Sequence, residues 1–153
     1  MPLLNYTTSI SSDKTVAEIC ALLGSAKCAA VMQEYDLQGS VSAIAFKINT
    51  EHGIICYHLP CFPDAIVEVF NRQVVAGKLA RRYKGDKDQA RRVGWRIVKD
   101  WLEAQLAIIE TGMVKLDQVF LPYAQGPDGR TLYEIATSHG GILALCDKNG
   151  QQP

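Results

Sequence analysis

The chain has 153 residues, 48% hydrophobic and 21% charged, with sixteen basic and sixteen acidic side chains. That balance describes a globular chain of one domain and excludes disordered and collagen-like classes. No apolar run reaches the roughly 18 residues that a membrane-crossing helix needs, so no membrane partner is expected.

Chain order begins with "MPLLNYTTSISSDK", which has no basic region followed by an apolar core, so no secretory leader is expected. Residues 3–10 alternate and are rich in β-formers, which predicts a first strand. A helix follows, with Ser12 or Asp13 as its cap, Val16, Ile19, Cys20, Leu22 and Leu23 inward, and Gly24 at its end. Three strands are predicted next, over 28–36, 41–49 and 53–60, with short turns between them that imply antiparallel hairpins. In the middle strand neither Val41-Ala43-Ala45 nor Ser42-Ile44-Phe46 is clearly wet, so the second sheet face should be partly covered. A second helix is predicted from Pro63, broken at Gly85. A third spans 86–111, with Asp86 and Gln89 at capping-box spacing and Gly112 at its far end. Its expected buried stripe is Ala90, Gly94, Ile97, Trp101, Ala104 and Ile108. The predicted order is β-α-β-β-β-α-α, an α+β fold with an antiparallel sheet of about four strands. Residues 1–112 would form this core, and 113–153 a C-terminal arm with a turn at "AQGPDGRTL", a short helix at "TLYEIATSHGG" and a frayed tail "DKNGQQP".

Catalytic motifs are missing. There is no Gly-rich phosphate loop, no HExxH, no GxSxG and no DxDxDG. Cys56, His58 and Cys61 could offer three zinc ligands, but a strand puts 56 and 58 on one face and leaves 61 beyond a proline. Cys56 or Cys61 with His52, His58 or His139 could form a nucleophile pair. Glu34, Asp36 and Glu51 near Lys47 could form a nuclease-type carboxylate cluster. In each case the plainer reading is preferred: buried thiols, a satisfied histidine, a solvated strand edge. No metal, cofactor or enzymatic activity is therefore expected. The odd count of five spread cysteines, Cys20, Cys28, Cys56, Cys61 and Cys146, predicts reduced, mostly buried thiols and a cytoplasmic location.

The neutral total hides a separation of charge. Residues 72–99 hold ten basic side chains and only Asp86 and Asp88 as acids, a local +8, which leaves −8 on the remainder. Bases in the first half of the third helix oppose its macrodipole, a penalty of roughly 0.3–1 kcal/mol per charge. A rule broken without structural gain points toward function. The candidate surface is Arg81, Arg82, Tyr83, Lys84, Lys87, Arg91, Arg92, Trp95, Arg96 and Lys99. The cations would contact phosphates without reading sequence. Tyr83 and Trp95 would stack on unpaired bases, with Trp101 left to the core. The competing reading pairs these cations with acids such as Asp88 and Asp100, or with the acidic part of a second copy. The Gly94–Ala104 small-residue stripe would also suit close helix packing in a homodimer or higher oligomer.

The segments "RVGWRIVKDWLEAQLAIIETGMVKLDQVFLPY" and "GRTLYE", with the earlier "AAVMQEYDLQGSVSAIAFKI" and "GIICYHLP", resemble small hypothetical proteins encoded in prophages and other mobile elements. The resemblance covers most of residues 3–135 and brings no catalytic residues with it. It implies a phage or mobile-element accessory protein. Together with the basic surface, this predicts a non-enzymatic protein that binds nucleic-acid backbones, preferentially single-stranded. The alternative is an interaction protein that inhibits or adapts a host defence or replication protein through an acidic surface on that partner.

Overall fold

Three strands, Ala30–Tyr35 (β1), Val41–Thr50 (β2) and Gly53–His58 (β3), form one antiparallel sheet in the order β1-β2-β3. They are seen in a computed structural model that describes residues 1–138. Asp36 organises the β1–β2 turn, its carboxylate accepting hydrogen bonds from the backbone N–H of Gln38 and Ser40. Gly39 takes the positive φ of 79° there, which a residue with a Cβ adopts only under strain. Side chains alternate across β2, so Ile44 and Phe46 face the main core while Ala43 and Ala45 lie on the opposite face. All four are buried. The second face is thus covered in part, as expected.

Among the described residues five α-helices accompany the sheet: Ser12–Ser25 (α1), Pro63–Val75 (α2), Lys87–Glu110 (α3), Leu116–Phe120 (α4) and Leu132–Ser138 (α5). The hydroxyl of Ser11 caps α1 by accepting from the N–H of Lys14, one position earlier than the expected cap. At α3, Asp86 is the N-cap and accepts from Gln89 N–H. Only half of the capping box forms, because the Gln89 side chain turns elsewhere.

Helix α3, roughly 36 Å long by its rise per residue, lies between α1 and α2 and serves two cores. Trp95, Val98 and Leu102 join Ile19, Leu23, Ile44, Phe46, Tyr57 and Phe120 in the larger one. Ala90 and Val93 join Phe70, Leu79 and Tyr83 in the smaller. Its buried arc is therefore wider than the predicted stripe. Ala104 is exposed and Trp101 only half-buried. Gly94 is covered by its own chain, since a Cβ there would lie 3.6 Å from Cys61 Sγ and 3.7 Å from Ile66 Cγ1. At Gly94 the small-residue stripe thus serves packing within the chain, while Ala104 at its other end stays exposed.

Three further expectations are corrected. Residues 3–10 form no strand, residues 4–7 making turns with Asn5 at a positive φ of 61°, so among the described residues the sheet has three strands and not about four. The predicted order β-α-β-β-β-α-α loses its first element accordingly. Helix α2 stops at Val75, and Gly77 turns the chain at a φ of 71° before a single 3-10 turn, Arg81–Tyr83. Among the described cysteines only Cys61 is buried, and Cys20, Cys28 and Cys56 are half-buried and free. The sequence leaves open whether the C-terminal arm docks; its early part does, with Phe120 fully buried and edge-on to Phe46 and to the half-buried Trp101. The turn and the short helix near 131–138 form as expected, with Thr131 and Glu134 exchanging hydrogen bonds at the start of α5. Cys146, His139 and the tail "DKNGQQP" lie outside the described residues.

Candidate nucleic-acid interface

The ten predicted residues divide into three groups. Tyr83 and Trp95 are not available to stack on bases. Trp95 is fully buried in the main core, and Tyr83 is 6% exposed between Tyr6 and Phe70, which meet it edge-on. The buried Nε1 of Trp95 has no hydrogen-bond partner among the described residues, so the ring is held there by packing alone. Trp95 sits one position off the predicted stripe because α3 is covered from two sides, which a single stripe does not convey.

The second group is already paired. Arg91 meets Asp36 at 3.3 Å and donates to the Ser40 hydroxyl at 3.0 Å. Arg96 bonds to Glu18 of α1. Lys99 meets Glu103 at 2.7 Å and Asp100 at 3.9 Å. Arg92 donates through Nε and Nη2 to the side-chain oxygen of Gln89. The middle of α3 is thus a surface where bases meet acids of the same chain. Asp88, one of the two acids expected to pair with them, takes no part in an ion pair among the described residues.

The third group is open. Arg81, Arg82, Lys84 and Lys87 are exposed and have no ion-pair partner among the described residues, and the same holds for Arg72 and Lys78. All six lie on or beside the connection from α2 to α3. Asp86 is the one acid in that stretch, and it is engaged in capping α3. The connection is held by Leu79 and Tyr83 buried against Phe70, and by Asn71, whose side chain accepts from Gly85 N–H at 2.9 Å. Arg82 also leans over the Tyr83 ring, 5.1 Å from its centroid. Arg72 and Lys78 were not singled out from sequence, because a helix running to Gly85 would have spread them along its side.

Beside this corner lies a groove of about 440 Å³ lined by Thr7, Thr8, Ser9, Arg82, Tyr83, Asp86, Gln89 and Arg92. Gln89 builds it. Its amide donates to the carbonyls of Tyr6 and Thr8, at 2.8 and 2.9 Å, and fixes residues 6–8 along α3. Its oxygen holds Arg92. Hydroxyls and two guanidinium groups on one groove suit a phosphate, against the opposing charge of Asp86, one of whose oxygens is used in capping α3.

The candidate metal and carboxylate clusters are not brought together among the described residues. Among the described residues no group of three or more His, Cys, Asp and Glu side chains is placed to hold a metal ion. Cys56 donates to the Gln125 side chain at 3.2 Å, and Cys61 lies under α3. Burial pushes the Cys61 thiol up to about 12 and the Cys28 thiol up to about 11. Burial also raises the Cys56 thiol, partly offset by Lys47. Raised thiols are poor nucleophiles near neutral pH. Asp36 is engaged in its turn and with Arg91, away from any carboxylate cluster. Comparison with protein-family models, with curated proteins and with solved structures finds no match to this chain.

Proposed function

We propose that this protein is a non-enzymatic accessory protein of a phage or other mobile element that binds the phosphate backbone of nucleic acid. The observation that carries the reading is the set of six exposed cations at 72–87, in no ion pair among the described residues, with Asp86, the one acid within that stretch, used as a cap. The contact surface is the α2–α3 connection and the groove beside it, not the length of α3. With Tyr83 and Trp95 buried, base stacking is not part of the reading, so single and double strands should both bind.

Fluorescence anisotropy with labelled oligonucleotides across a salt series tests it. If all six cations contact phosphates, log K should fall against log salt with a slope of about −4 on single strands. Replacing Arg82 and Lys84 with Glu should weaken binding at least about tenfold for every sequence alike. No binding to either strand form at low salt would end the proposal.

A further inference from the structure

A second cleft, of about 540 Å³, lies between the β3–α2 connection and the segment leading into α5. Its walls are mostly apolar and include Pro60, Phe62, Pro122, Tyr123 and Tyr133, with His58 beside them, while among the described residues Glu134 is its one carboxylate and no lysine or arginine lines it. The volume falls within the roughly 300–1,000 Å³ of small-molecule sites.

The cleft is built on fixed parts. Ala124 bridges to Tyr57 of β3, Gln125 N–H donates to the Cys56 carbonyl at 2.8 Å, and Leu132 N–H donates to the Ala124 carbonyl at 2.8 Å. These bonds occupy the outer edge of β3 there, so an added strand is not the occupant. Tyr123 is held edge-on to Trp101 at 5.5 Å. Phe62 and Tyr133, by contrast, are 69% and 58% exposed although each offers a large aromatic surface. Glu134 is anchored through one oxygen, which accepts from Thr131 N–H at 2.8 Å. Nothing among the described residues bonds its other oxygen.

We infer that this cleft binds an organic cation bearing a quaternary or methylated ammonium group. Aromatic faces attract such a cation, which has few donors to satisfy and an apolar shell to bury. Glu134 supplies the opposite charge. An anion would meet that carboxylate unfavourably, and a neutral apolar ligand would strip water from it with nothing in return. The inference stands apart from the basic corner and does not depend on nucleic-acid binding.

The test is a titration of the full chain, followed by NMR, with choline and with dimethylbutanol, its neutral carbon isostere. Choline should bind saturably with a dissociation constant of roughly millimolar, and the isostere about tenfold more weakly. Both Phe62 and Tyr133 are exposed, so Phe62→Ala and Tyr133→Ala should keep the fold and lose the binding. Glu134→Gln should weaken choline several-fold while its amide oxygen still accepts from Thr131. Equal binding of choline and its isostere, no saturable binding of choline, or unchanged binding in Tyr133→Ala would each overturn the inference.

Discussion

At the scale of single residues, burial decides more than sequence position does. Cys61 is 8% exposed and its thiol is pushed to about 12 by desolvation, against 9.0 for a free thiol. The folded chain therefore keeps a proton that the unfolded chain gives up between about pH 9 and 12, so stability is complete below that window and falls as pH rises through it. At pH 10 the loss should be on the order of 1 kcal/mol from this residue. Urea midpoints measured from neutral pH to about pH 10 should fall more steeply for the wild type than for Cys61→Ala. Equal slopes would mean that Cys61 is not the titrating group. Trp95 teaches the same lesson about burial: it stands between Gly94 and Arg96, one position off the predicted stripe, and only the presence of two packing partners for α3 explains why the ring goes inward.

Among the elements, those with local signals were legible and those decided by a distant partner were not. The two hairpins were readable because short turns between β-rich runs leave few alternatives, and α3 because Asp86 and Gly112 mark both its ends. Residues 3–10 had a strand's alternation but no strand accepts them. Gln89 takes their carbonyls instead, eighty positions away, and a left-handed Asn5 bends the segment. Strand propensity counts only where a sheet edge takes the strand. Replacing Gln89 with Ala should therefore remove two bonds to that segment and leave the Tyr6 and Thr8 carbonyls unpaired, at a cost of about 2 kcal/mol. Hydrogen exchange should then speed up in residues 3–10 before it changes in the sheet. Uniform acceleration, or none, would show that Gln89 does not hold the segment. The same change should enlarge the groove beside Arg82 and free Arg92, linking this element to the proposed phosphate contacts.

For the molecule as a whole, the +8 and −8 regions of the sequence are not two separate faces. Folding returns Glu18 from α1 and Asp36 from the β1–β2 turn to the bases of α3, so much of that helix is neutralised within the chain. What remains uncompensated is the α2–α3 connection. The sequence located the excess charge but could not say which part of it was spent, because that depends on acids some fifty to eighty positions away. Two charge reversals should therefore act on different quantities. Arg96 is 18% exposed at its side chain and pairs with a carboxylate that is 35% exposed. Arg96→Glu sets two carboxylates together and should lower stability by about 1–3 kcal/mol, between the ranges for exposed and buried pairs, with part restored by adding Glu18→Arg. Any loss of nucleic-acid affinity in that chain should be small where it remains folded. Arg82→Glu with Lys84→Glu should do the reverse, leaving the urea midpoint nearly unchanged while weakening binding, because both side chains are exposed and neither is in an ion pair among the described residues. If Arg96→Glu weakened binding as much as the double change, at equal folded fraction, the contact surface would extend along α3 and the division drawn between spent and open charge would fail.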